Sequence, residues 1–330
     1  MTVVDIHSHL YPAWFLDLLR RRDEIPRVVA EGGAERLLLF TTPGGAGSGP
    51  LLTDDYTSVD AKLAFMDRHG IDRSIVSLGN PWLEVNDPER SVDVSRDSND
   101  RLAALSAETA GRIFGMGVLP PAEPPLVAGI VEEVASEPGL RGVIASTTIG
   151  GRLFDDADLE PVWEALAVSG VPLMVHPMMS VLPADLTGYG IALSAGIGFP
   201  FQTTVALARL LLAWVLDRHP NLRVVAAHGG GALPFLIGRL EGTHHAGPGD
   251  VPLRESARRL FLDAGLYEPD AVKMAANLVG TQRLFFGTDH PFPNADVARI
   301  TDAIRSGLSD AEAALVMGSS AHTWYDLPSG

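Results

Sequence analysis

Apolar residues along this chain come in short, nearly unbroken runs. Eight stand out: VVDIH (3–7), DRSIVSL (72–78), IFGMGVL (113–119), RGVIAST (141–147), VPLMVH (171–176), LRVVAAH (222–228), LFLDAG (260–265) and RLFFGTD (283–289). Runs of this kind suit strands buried on both faces, as in a parallel sheet. Between them the apolar spacing changes to that of helices. DDYTSVDAKLAFMDRHG (54–70) is helical in period with a glycine stop, and LEPVWEALAVSG (159–170) begins near a proline and also ends in glycine. Eight such alternations predict a closed (β/α)8 TIM barrel, one α/β domain over residues 1–330, with an open doubly wound sheet as the alternative.

Two segments break the alternation. Residues 23–56 contain TTPGGAGSGP, whose glycines read as a flexible loop insertion, either a plain surface loop or a mobile lid. No Gly-Lys-Ser/Thr follows, so it is not a phosphate-binding loop. Residues 177–200, rich in Pro, Gly and Met, read as a second insertion over the barrel mouth. EGTHHAGPGD (241–250) reads as a solvated loop.

Charge and composition narrow the partners. With 41 acidic residues against 25 basic ones, the net charge of −16 opposes binding to nucleic acid and to anionic membranes. The absence of cysteine excludes disulfides, thiolate ligands and cysteine nucleophiles. The most apolar long stretch, FPFQTTVALARLLLAWVLDRHP (199–220), is interrupted by Gln202 and Arg209 and reads as a buried helix rather than a membrane span. No secretory signal is visible at the N-terminus, so the expected location is cytoplasmic.

The chemistry lies at the ends of the predicted strands, where barrel enzymes gather their functional residues. His7 and His9 end the first run, His176 the fifth, His228 the sixth and Asp289 the eighth. His7 and His9 are two apart, so on a strand both rings face the same way. Taken singly, the His pair could be polar strand-end residues and Asp289 a helix N-cap. Their joint occurrence at four strand ends points to one divalent metal held by nitrogen and oxygen donors, a set that suits zinc first, then manganese or iron. The other histidines carry less. His69 and His219 fall at helix C-termini, His244 and His245 in a loop, and His322 has no assignment. His290 follows Asp289, would face the other way on a continuing strand, and is a candidate substrate contact. Trp82, Met178, Phe199 and Phe292 follow strands and are candidates for an apolar wall, ordinary loop packing being the alternative.

The H-x-H pair, the VHP after the fifth strand, AHGGG…PF…GR after the sixth and GTDHPFP after the eighth resemble the amidohydrolase-2 group, and within it the aminocarboxymuconate-semialdehyde decarboxylase family. The resemblance implies an amidohydrolase-like barrel with one metal, usually zinc and in some members manganese. It maps His7, His9, His176 and Asp289 onto the metal ligands and His228 onto the acid/base histidine beside the metal-bound water. It maps Arg239 onto an arginine that some members insert into a neighbouring subunit's site to hold a substrate carboxylate, which makes a homodimer functional. Only two lysines occur, Lys62 and Lys273, both in helical segments. The fourth strand therefore lacks the carbamylated lysine of binuclear relatives, and a Schiff-base mechanism is disfavoured.

The expected activity is thus non-oxidative decarboxylation of a small aromatic or unsaturated carboxylic acid. His228 serves as acid/base, and Asp289 as ligand or as ligand and proton donor. Metal-dependent hydrolysis or hydration is the alternative. The stretch LFTTPGGAGSGPLLTDD (39–55), where the name-giving decarboxylase supplies further arginines, has none here, which argues against that enzyme's dicarboxylate substrate.

Overall fold

The eight apolar runs form eight parallel strands in sequential order: β1 (Val4–Leu10), β2 (Arg73–Leu78), β3 (Ile113–Val118), β4 (Leu140–Ala145), β5 (Leu173–Val175), β6 (Val224–Ala226), β7 (Phe261–Asp263) and β8 (Leu284–Phe285). This computed structural model describes residues 2–42, 45–83, 88–179, 184–186, 189, 191–244 and 251–328. His245 and the rest of its loop to Asp250 lie outside them, as does part of the 177–200 insertion.

The sheet closes on itself. β8 is only two residues long, yet the chain beyond it stays beside β1: Ile6 N–H donates to Phe286 O at 3.0 Å, Asp289 N–H to His7 O at 2.8 Å and His9 N–H to His290 O at 2.7 Å. Every residue of β1 is buried, as are those of β3, β5, β6, β7 and β8. Such strands have no solvent face, which is why their sequences run apolar without alternation.

Helices cover the outside. Val59–His69 starts at Ser58, whose hydroxyl accepts from Ala61 N–H, and stops at Gly70 in the left-handed region, as the glycine signal predicts. Phe199–Leu212 turns Thr203, Ala206, Leu207 and Leu210 inward at helical spacing. The segment Ser194–Leu212 has the length and composition to cross a membrane, but that inward stripe packs on the barrel and leaves Phe201 and Val205 exposed.

The first insertion departs from its expected character. Arg27–Glu31 pairs antiparallel with Ala34–Leu38 around Gly32 and Gly33, both at positive φ, and Leu51–Leu52 adds a third strand. Phe40–Thr41 pairs with Gly47–Ser48. Gly32 and Gly33 make a hairpin turn, where positive φ is required, and of the glycines in TTPGGAGSGP, Gly45 turns the chain at φ 81° between the second pair.

Gly231 shows how closely these layers meet. The turn after β6 runs under the start of helix Phe199–Leu212, and a Cβ at Gly231, whose φ is +65°, would lie 2.0 Å from Pro200 O. Gly231→Ala therefore combines a backbone clash with left-handed strain and should cost roughly 2–4 kcal/mol. The expected result is a fall in melting temperature of about 3–6 °C; a melting temperature equal to the parent's would contradict this packing.

Candidate metal centre

The five residues singled out at strand ends converge on one point at the C-terminal mouth of the barrel. His7 and His9 lie within β1, His176 directly follows β5, His228 stands two residues beyond β6, and Asp289 four beyond β8. The rings of His7 and His9 are 5.1 Å apart, and the His176 ring is 5.0 Å from each. Asp289 Oδ1 lies 3.4 Å from His7 Nε2 and 3.2 Å from His9 Nε2, and Asp289 Oδ2 lies 3.5 Å from His228 Nε2. His7, His176, His228 and Asp289 each offer a donor atom within 4.8 Å of the others.

What separates the histidines is how their other nitrogen is held. His176 Nδ1–H donates to Pro177 O at 2.8 Å. His9 Nδ1 lies 2.9 Å from Ser77 Oγ, whose own hydroxyl donates to Leu78 O, so the histidine is the donor. His7 Nδ1 meets Asp263 Oδ2 at 2.5 Å. In all three the Nε2 atom is buried with no hydrogen-bond partner among the described residues, as is Asp289 Oδ1. Leaving several buried polar atoms unpaired costs about 1–3 kcal/mol each. A cation among them satisfies them all, and an imidazole oriented through its distal N–H is the usual state of a metal ligand. His228 differs: its unpartnered nitrogen is Nδ1, its Nε2 faces Asp289, and its side chain is 15% exposed on the pocket side.

Electrostatics follow from this crowding. Burial lowers the pKa of His9 and brings that of His176 well below the usual imidazole value, keeping both neutral. Burial also acts against a charge on His7, but the Asp289 and Asp263 carboxylates outweigh it and raise its pKa to about 9. Asp289 is held well below the usual carboxylate range: burial pushes it up, and His7 and His228 more than compensate. The donor set is ready for a cation in all but the proton on His7.

Asp263, at the end of β7, was not among the residues predicted from sequence. Its Oδ1 accepts from Gly229 N–H at 2.8 Å and Gly265 N–H at 3.2 Å while its Oδ2 orients His7, so one carboxylate locks β1, β6 and β7 together. Gly287 makes room beside it, since a Cβ there would lie 2.7 Å from His7 Cβ. Both His228 and Asp289 are in left-handed backbone, at φ 54° and 58°. For residues other than glycine this costs about 1–3 kcal/mol each and is typical of functional positions.

A cavity of about 270 Å³ opens on this cluster. Phe199 and Phe292 wall it, with the Phe292 ring 5.5 Å from that of His9 and the Phe199 ring nearly parallel to that of His228 at 6.4 Å. Leu39, Phe40 and Pro50 of the first insertion cover one side, and Ile191 and Ala195 of the second another. Asn80 contributes a buried polar group: its Nδ2 donates to Pro177 O at 3.3 Å and its Oδ1 has no partner among the described residues. Among the described lining residues none is lysine or arginine.

Several expected contacts lie elsewhere. Trp82 does not line the cavity; it is buried, donates from Nε1 to Leu78 O at 2.8 Å, and sets its ring edge-on to His176 at 5.3 Å as a buttress. Met178 is also behind the wall, and Met179 takes the lining position. His290 obeys the strand alternation and points out of the barrel, stacked on Phe65 at 3.6 Å with Lys62 on its Nδ1, so it does not face the cavity. Arg239 lies exposed on helix Leu233–Thr243, away from its own chain's cavity lining.

Comparison with known proteins agrees with this geometry. Over 244 residues the chain is 28% identical to 2-amino-3-carboxymuconate-6-semialdehyde decarboxylase of Dictyostelium discoideum, covering 71% of this chain and 67% of that protein. It is 27% identical over 259 residues to γ-resorcylate decarboxylase of Rhizobium sp. strain MTP-10005, covering 72% of this chain and 78% of the relative. The crystal structure of Metarhizium anisopliae IDCase in apo form superposes with a TM-score of 0.92 at 34% identity, covering 99% of this chain and 97% of the other. A family model described as Amidohydrolase matches residues 4–327, nearly the full length over which the barrel and its donor cluster are built, and the chain belongs to that family.

Proposed function

We propose that this protein is a metal-dependent, non-oxidative decarboxylase of a small aromatic or unsaturated carboxylic acid. The observation that carries this reading is the division among the histidines. Three are oriented through Nδ1 and leave buried Nε2 atoms without partners around Asp289, while His228 opens on an apolar cavity. The two curated relatives described above are both decarboxylases of unsaturated or aromatic acids by name, which supports the reaction class.

In this reading His7, His9, His176 and Asp289 hold one divalent ion, and the nitrogen-rich donor set favours zinc over manganese or iron. Such an ion supplies Lewis acidity to the substrate's carboxylate or a neighbouring oxygen. The chain's own groups do the rest. Phe199 and Phe292 orient a planar ring and exclude water. The apolar walls disfavour a charged carboxylate relative to neutral CO₂. His228, with Asp289 Oδ2 beside its Nε2, holds a proton on the cavity side and delivers it to the ring carbon. The carbon–carbon bonding pair then restores the π bond that took up the proton as CO₂ leaves, so the acid R–COO⁻ plus one proton becomes R–H and CO₂.

With no cationic side chain in the described lining, a second carboxylate has no partner within one chain. We place Arg239 in a neighbouring subunit's site as part of a homodimer. It is exposed one helical turn from Phe235, itself 74% exposed, so a single helix face carries both an apolar anchor and a guanidinium.

Three measurements test these statements. Metal-loaded protein incubated with a panel of aromatic and unsaturated monocarboxylic acids and lactones should release CO₂ from at least one acid; turnover of lactones alone would move the assignment to hydrolysis. His7→Ala should lose stoichiometric metal in elemental analysis. His228→Ala should retain it while turnover falls by about 10²–10⁴, and a His228 variant without metal would make that residue a ligand. Arg239→Ala should raise KM several-fold at unchanged metal content and reduce the dimer fraction in sedimentation; parental kinetics would remove Arg239 from the site.

A further inference from the structure

Behind the metal centre, on the outer side of the barrel wall, lies a buried lysine for which the reaction has no use. Lys62 projects from helix Val59–His69 and is 1% exposed. Its Nζ donates to Ser8 Oγ at 2.6 Å and to His290 Nδ1 at 2.5 Å, with His290 O at 3.3 Å. These two partners are the outward-facing neighbours of the inward-facing donors. Ser8 sits between His7 and His9, and His290 follows Asp289. Ser8 and His290 also meet each other: Ser8 Oγ–H donates to His290 O at 3.2 Å, and the same carbonyl accepts from His9 N–H at 2.7 Å.

This point is the seam of the barrel. The regular ladder of β8 ends at Phe285, and Asp289 is presented from left-handed backbone beyond it. Something must hold residues 288–290 against β1. Thr288 is anchored by Asp5, its N–H and Oγ–H donating to Asp5 Oδ1 and Oδ2 at 3.0 and 2.7 Å. On the other side of Asp289, His290 is gripped by ring and carbonyl together, its ring clamped between the Lys62 ammonium and Phe65. Burying a lysine carries a desolvation penalty of several kcal/mol, and a methionine of similar length would fill the space without it. Burial lowers the Lys62 pKa to about 7, with Asp5, Asp55 and Asp289 working the other way. In a chain with two lysines, placing one here at that cost is explained by what its three donors hold.

We propose that Lys62 is a positioning residue for the metal centre: by grasping Ser8 and His290 from the covering helix, it fixes β1 against the segment after β8 so that His7, His9 and Asp289 meet one ion. The proposal rests on the metal-binding reading above and adds a residue that touches neither ion nor substrate.

The test uses Co²⁺ as the probe in full-length protein. Dissociation constants come from chelator competition and ligand geometry from the visible absorption bands of bound Co²⁺. Lys62→Met should fold in the metal-free state with a melting temperature at or above the parent's. It should bind Co²⁺ roughly tenfold more weakly, the scale for outer-shell partners of ligands, and show displaced visible bands. A purely structural role predicts a lower metal-free melting temperature with unchanged bands and affinity, and that result overturns the proposal. If Lys62→Met does not fold, Lys62→Gln decides, because its shorter amide keeps a polar tip in the buried space but cannot hold Ser8 and His290 together, and it leaves the direct Ser8–His290 bond in place. Displaced bands in Lys62→Gln support the proposal, and bands identical to the parent's overturn it. Failure of the parent itself to bind Co²⁺ would sink the metal reading and this proposal with it, whereas binding by the parent with no change in either variant would sink this proposal alone.

Discussion

Three imidazole nitrogens and a carboxylate oxygen meet in the barrel mouth, buried and without hydrogen-bond partners among the described residues, and the rest of the protein is arranged around them. Buried acceptors without donors are costly, and similar charges crowd together when any of these rings takes a proton. The chain ties down the other ring nitrogen of each of these three histidines. Nδ1 of His176 and of His9 is committed to a carbonyl and to a hydroxyl, and Nδ1 of His7 to the Asp263 carboxylate. What remains free in the described residues is a converging set of donor atoms with nothing between them but room for an ion.

This explains why the backbone is irregular where the chemistry is. Most of the barrel uses ordinary strand geometry, with apolar side chains from buried strands filling its interior and the space under its helices. At the mouth, His228 and Asp289 take left-handed conformations; the hydrogen bonds of Asp5, Thr288 and His290 flank Asp289, and Asp263 takes the Gly229 N–H beside His228. Left-handed backbone also occurs at Trp82, Ala110, Tyr189, Trp214 and Asp326, but among the described residues only His228 and Asp289 combine it with a place in the cavity lining.

Much of this was legible in the sequence. The eight strands were readable because strands buried on both faces carry almost no polar residues, so the rare histidine or aspartate at the end of each run is conspicuous. Alternation along a strand correctly put His7 and His9 on one face and His290 on the other. Asp263 ends β7 but sits inside the seventh run, ahead of Ala264 and Gly265, so the sequence did not mark it as a run end; a lone aspartate there also serves as a turn residue, and only its contact with His7 separates the two. Lys62 was assigned only to a helix, because its burial depends on a partner more than two hundred residues away. The insertion after β1 was obscured by composition: RVVAE and AERLL flank a Gly-Gly pair, a hairpin pattern that the surrounding glycines concealed. Trp82 follows a strand as a mouth residue should, but a positive φ of 49° tucks its ring beneath His176.

Among the described residues, the two insertions that roof the cavity contribute no atom to the donor cluster. They branch from the barrel after β1 and after β5, whereas the donor positions belong to strand ends and to the turns directly beyond them. Evolution can therefore rewrite Leu39, Phe40, Pro50 or Ile191 while inheriting the ion-holding chemistry intact. Relatives that diverge along this route would differ in which molecule they admit long before they differ in what is done to it.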